Sequence, residues 1–319
     1  MSTDRYITQQ QREAILDVPH FRDGKYASID IDQTIHFYIR RYVDQLASFT
    51  RLGKDDVVAD IGTGYGWLAI AFALKTRARV IAVDVDAERL RAAREIAGII
   101  GVGERIDWRV GSLGRLPIET GAAKAVYCIE VIEHIKRSRA AVRDLARICS
   151  DILVITTPNL YFPIIAHDTQ LPFCHWLPMK LRGAYAALFG RSDRENDNLF
   201  WSPRSLFREL PEFELASGFL HYASRARYQS TFPIYIPYVR GGLRRGDGRL
   251  KSMYYDLASR LGRYSVYVMP SLACALRRRP EAHFAVDMER EPAFGARPMP
   301  STIIAASRQK PPAIRKARR

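Results

Sequence analysis

Cysteine is scarce. The 319 residues hold four, at Cys128, Cys149, Cys174 and Cys274, with no C-x-x-C pair, which predicts reduced thiols and excludes a disulfide frame. No uninterrupted apolar run reaches the length needed to span a bilayer, and Met1 to Arg12 carries no apolar signal region, so a cytoplasmic protein is expected. Internal repeats are absent. Acid is in deficit, with 34 Asp and Glu against 49 Lys and Arg and a formal charge of +15. Such an excess calls for an anionic partner or a solvated basic arm.

Part of that charge is terminal. Arg308 to Arg319 holds six basic residues and no acid, and residues 280–319 read as a disordered basic tail that cannot bury enough apolar surface to order itself. Tyr222 to Arg263 is different, because arginines there alternate with aromatic and aliphatic residues, as in Tyr235-Ile236-Pro237-Tyr238-Val239-Arg240. The two readings of this stretch are a substrate-covering insertion with a basic face and an interfacial segment that touches anionic lipid peripherally at the inner membrane surface. Clustered Arg and Lys also attract nucleic acid.

The most informative run is Val57-Val58-Ala59-Asp60-Ile61-Gly62-Thr63-Gly64-Tyr65-Gly66-Trp67. Apolar β-branched residues feed a glycine turn and then a helical pattern, the order that builds a nucleotide-type site at the carboxyl end of a parallel strand. The turn lacks the third glycine of G-x-G-x-x-G, where Trp67 stands, and it lacks the Gly-Lys-Ser/Thr of a phosphate loop. Without a pyrophosphate grip, the expected ligand is a nucleoside with a charged, phosphate-free tail. S-adenosylmethionine answers that description.

A second apolar strand, Arg79 to Asp84, ends in an acid about 20 residues after the turn, the place of a ribose-hydroxyl acceptor. Taken singly, Asp84 would serve as a cap or turn residue. Joined to Asp60, Gly62, Gly64 and Gly66, it is a cofactor-binding candidate.

With Glu130-Val131-Ile132-Glu133-His134 after a fourth apolar strand and Thr157-Pro158-Asn159 after a fifth, residues 35–157 resemble the class I S-adenosylmethionine-dependent methyltransferases. The E-V-I-E-H and T-P-N motifs are similar to those of the ubiquinone-pathway O-methyltransferases. The resemblance implies an α/β fold: a doubly wound, Rossmann-like, seven-stranded sheet with an amino-terminal helical cap and insertions after strand 5 and between strands 6 and 7. It implies Ser112 and Leu113 beside the adenine, although an acid usually stands where this chain has Ser112, and Glu130 near the cofactor.

Three segments are expected: 1–52 as cap and first helix, 53–279 as the methyltransferase domain with acceptor-side or interfacial insertions at 161–200 and 225–264, and 280–319 as the tail. Asp32 to Leu52 reads as one amphipathic helix, and Phe213 to Phe219 and Val266 to Leu276 as the last strands. Ser202 and Pro203 read as a helix start.

The chemistry expected is O-methylation of a small hydroxyl acceptor, lipid-linked or glycan-linked, with His134 and His167 as catalytic candidates. Glu130, Glu133 and His134 on one helical face would hold Mg²⁺ in a metal-assisted version, with His167 or His175 as a further ligand. The alternatives are 2′-O-methylation of RNA and a cofactor-binding scaffold without activity.

Overall fold

In the computed structural model, residues 5–24, 28–135, 139–165, 169–191, 200–231, 235–237 and 248–280 are described. His167 and the expected tail past residue 280 lie outside them. Seven strands form one sheet: β1 (Val57–Ile61), β2 (Arg79–Asp84), β3 (Ile106–Val110), β4 (Ala123–Ile129), β5 (Cys149–Pro158), β6 (Phe213–Ser217) and β7 (Ser271–Arg278), in the order β3-β2-β1-β4-β5-β7-β6. Strands β1 to β5 pair in parallel, whereas β7 runs antiparallel between β5 and β6.

Period-two alternation places apolar side chains on both sheet faces. Val58, Val80, Tyr127 and Val154 lie in one cluster, and Ala59, Ile81, Val126 and Leu153 in another. The helices of the first half of the chain are α1 (Gln9–Leu16), α2 (Pro19–Arg22), α3 (Ile31–Tyr38), the short α4 (Asp44–Leu46), α5 (Trp67–Lys75) and α6 (Ala87–Ile100). All six bury residues in the first cluster. The second cluster takes Val142 and Leu145 of α7 (Arg139–Ile148) and Leu206 of α9 (Pro203–Arg208). Two covered faces are what a doubly wound sheet requires.

The segments outside this frame are α8 (Met179–Leu188), in the stretch after β5, and α10 (Arg225–Ser230) with α11 (Arg249–Arg260), between β6 and β7. Ser202 caps α9 through Ser205 N–H, with Pro203 in the first turn, as the sequence predicts. All four cysteines are free and buried.

Two expectations shift. The helix from Asp32 stops at Leu46 and is interrupted by a π-helical turn, Ile39–Val43. The last strand begins at Ser271, because Gly262–Tyr267 winds as a 3-10 helix and Asn159 Nδ2 donates to the carbonyls of Val266 at 3.0 Å and Met269 at 2.8 Å.

Candidate active site

The loops after β1, β2, β3 and β4 meet at the carboxyl edge of the sheet. They are tied by backbone bonds: Gly62 N and Thr63 N donate to Val83 O, Gly111 N to Asp84 O and Glu130 N to Thr156 O, at 2.8 to 3.0 Å. Between them lies a cavity of about 420 Å³, lined by Gly62, Asp84, Ser112, Leu113, Glu130 and His134 among others. That volume lies in the range of small-ligand pockets.

The three glycines have separate reasons, although each has positive φ. A Cβ on Gly62 would lie 2.4 Å from Val131 Cγ2, and one on Gly66 would lie 2.7 Å from Trp108 Cη2, so both are demanded by packing. At Gly64 a Cβ would meet nothing within 4 Å. Its backbone is the open part of the turn, bare enough for a ligand to lie against.

Asp84 holds that turn in place. Its Oδ2 accepts from Gly64 N at 2.8 Å and its Oδ1 from Asp86 N at 3.0 Å. A carboxylate accepts about four hydrogen bonds, so capacity remains for ligand hydroxyls. The turn reading and the ligand reading of Asp84 are thus compatible.

Asp60 is placed otherwise. Buried beneath the turn, it accepts from Thr63 Oγ1 at 2.6 Å, and burial pushes its carboxyl up to about 7. It braces the turn and is not among the cavity's lining residues.

The expected helical face of Glu130, Glu133 and His134 does not form. Glu130 has φ +53°, and Ile132–His134 is a single 3-10 turn, so the spacing no longer stacks the three side chains. Glu133 is buried, accepts from Thr157 Oγ1 at 3.1 Å, and is raised to about 9 by burial and by the charge of Glu130. His134 is exposed at the rim. Among the described residues no group of three His, Cys, Asp or Glu could hold a metal ion. The residues present do not fit Mg²⁺. His175 is buried, its Nε2 3.2 Å from Leu160 O, away from this set.

Residues 58–151 match the sequence profile of a methyltransferase domain. Over 92 residues the chain is 36% identical to ubiquinone biosynthesis O-methyltransferase of Xanthomonas oryzae pv. oryzae, covering 28% of this chain and 37% of that protein. Over 115 residues it is 25% identical to norajmaline N-methyltransferase of Rauvolfia serpentina, covering 34% and 39%. The chain thus spans under two-fifths of the length of these curated relatives. Among solved structures, it resembles geranyl diphosphate C-methyltransferase from Streptomyces coelicolor A3(2) at 14% identity and a TM-score of 0.45, over 74% of this chain and 78% of that one.

Three features of the candidate site were not legible beforehand. Val131 and Trp108 supply the walls that demand Gly62 and Gly66. The cap reaches the glycine turn, since Tyr65 Oη donates to His20 O at 3.1 Å and Phe21 packs on Tyr65 and Trp67. Arg89 of α6 lines the cavity. Only Arg89 left a trace in the sequence, as a basic residue in the turn that follows Asp86.

Proposed function

We propose that this protein transfers a methyl group from S-adenosylmethionine to a hydroxyl on a small, lipid-linked or glycan-linked acceptor. The observation that carries this reading is the cavity that joins Gly62 of the glycine turn, Asp84, Ser112, Leu113, Glu130 and His134 at one sheet edge. When bound, the cofactor supplies an electrophilic methyl on a sulfonium. Asp84 would accept from the ribose hydroxyls, and Ser112 with the Leu113 backbone would hold the base. His134, exposed on the rim, would take the acceptor proton as general base.

Calorimetry tests the cofactor half. Asp84→Ala and Gly64→Arg are expected to abolish S-adenosylmethionine binding, and unchanged affinity would overturn the assignment. Labelled S-adenosylmethionine incubated with fractionated extract, with and without chelator, identifies the acceptor. Transfer is expected to survive the chelator.

A lipid-borne acceptor is favoured by α11. Leu250, Met253 and Leu257 recur at helical spacing and are 83%, 67% and 65% exposed, while Tyr255 and Ala258 on the same helix are buried. Exposed Arg249, Arg260 and Arg263 flank that stripe, a pattern suited to the surface of an anionic bilayer. Among the described residues no helix is long and apolar enough to cross a membrane. Sedimentation with anionic vesicles is expected for the wild type and lost in Leu250→Glu/Leu257→Glu; equal sedimentation of the two removes the lipid reading.

A further inference from the structure

The π-helical turn Ile39–Val43 inserts one extra residue into the first long helix, and Arg41 stands at its centre. The Arg41 guanidinium carbon lies 5.4 Å from the centroid of the Phe37 ring and 5.7 Å from that of Tyr42. The hydroxyl of Tyr42 is hydrogen-bonded to it. From the far side of the chain, His221 stacks on Tyr42 at 4.9 Å and places Nε2 3.0 Å from the Arg41 carbonyl. Tyr222 stacks beside His221 and meets Tyr228 edge to face at 5.4 Å. One cation is thus embedded among rings from two distant segments.

Its hydrogen bonding is incomplete. Arg41 Nε is buried and has no partner. An unmade bond from a buried, permanently charged donor is costly, and a guanidinium edge made of Nε and one Nη matches two anionic oxygens. Burial works against the charge, while Tyr42, Tyr222, Tyr228 and Glu130 favour it. Glu130 also lines the cavity at the carboxyl end of β4, and Tyr42 packs on Tyr127 of that strand. Arg41 is thus tied, through Tyr42, to the strand whose carboxyl end carries Glu130.

We propose that Arg41 is the anion-recognising residue of the acceptor site, its Nε and one Nη binding a carboxylate or phosphate oxygen pair on the methyl acceptor. The proposal rests on the methyltransferase reading for its placement, and it adds the acceptor's charge. The aromatic setting explains why an arginine stands here: its planar cation stacks on rings, whereas an ammonium would be more strongly hydrated. A purely structural Arg41 would instead act only by filling space between Phe37 and Tyr42.

The test is calorimetry on the full chain with S-adenosylhomocysteine bound, using benzoate, phenyl phosphate and neutral benzamide as probes. Benzoate or phenyl phosphate is expected to bind and benzamide not, and the better anion separates a carboxylate acceptor from a phosphate one. Arg41→Met is expected to weaken that anion at least about tenfold, as loss of a charge-assisted pair implies, and to change S-adenosylhomocysteine affinity less than about twofold. Where Arg41→Met lowers the folded fraction, Arg41→Lys carries the test, with weaker anion binding and unchanged thermal stability expected. Equal anion binding by wild type and the folded variant, or no anion binding by a wild type that binds S-adenosylhomocysteine, overturns the proposal. If the wild type does not bind S-adenosylhomocysteine, the methyltransferase reading falls, and the same titrations without it still decide whether Arg41 binds anions.

Discussion

Residues 57–158 and residues 159–270 are held together by different means. In the first stretch, successive strand ends are joined by backbone bonds of loop to neighbouring strand, such as Gly62 N to Val83 O and Gly111 N to Asp84 O. The second stretch is held by side chains reaching far along the chain, as when Asn159 Nδ2 grips Val266 O and Met269 O, or His221 meets the Arg41 carbonyl 180 positions away. Its backbone is also more constrained. Gln170, Phe173, Leu220 and His221, none of them glycine, have φ between 52° and 62°. Such conformations persist where surrounding packing over-determines them. A site made of consecutive loops is set by local rules, whereas one made of insertions is set by whatever they pack against.

The sharpest break of this contrast is at the glycine turn. Gly62→Val puts branched carbon where a Cβ already lies 2.4 Å from Val131 at φ +74°. A loss of about 2–5 kcal/mol is expected from overpacking and left-handed strain together. Gly64→Ala, at φ +59° with open space around it, is expected to cost only about 1–2 kcal/mol. Urea denaturation of the pair checks this, and equal losses would mean that the turn is not built by packing at one glycine and openness at the other.

Asp84→Asn is the next test. The amide keeps an oxygen for Gly64 N–H or Asp86 N–H, not a full charge for both, and loss of charged hydrogen bonds is worth about 1.5–3 kcal/mol. A fall of about tenfold to a hundredfold in S-adenosylhomocysteine affinity is expected by calorimetry. A comparable fall from His221→Asn would erase the division between the two regions.

The smallest effect is a pH dependence at the join of the two regions. Burial, with the charge of Glu130, raises Glu133 from 4.5 to about 9. The folded protein therefore binds this proton more tightly than the unfolded chain does. The stabilisation is complete below about pH 4.5 and is lost as pH rises toward and through 9. Thermal melts of Glu133→Gln between those values are expected to decline less with pH than those of the wild type. Parallel slopes would show that Glu133 is not a buried proton carrier.

The cofactor side was readable because its residues lie in order along the chain. Asp60, Gly62 and Asp84 follow from strand ends whose apolar alternation is visible, and the structure separates only their tasks: Asp60 braces, Gly62 packs, and Asp84 faces the cavity. The metal set was misread for a physical reason. Spacing that aligns three side chains on an α-helix does not do so once Glu130 turns to positive φ. Val131 and Trp108 were invisible because an ordinary apolar residue carries no mark of the glycine it touches.

The sequence by itself determined the strand–turn–helix alternation, the glycine turn and the acid after the second strand, because hydrogen-bond geometry and side-chain periodicity act over a few residues. Only the tertiary structure decided that Arg41 lies among Tyr42, His221 and Tyr222, that Glu133 is buried against Thr157, and that an apolar stripe of α11 faces outward. Those facts depend on which distant surfaces meet, and burial, desolvation and stacking act between neighbours in space.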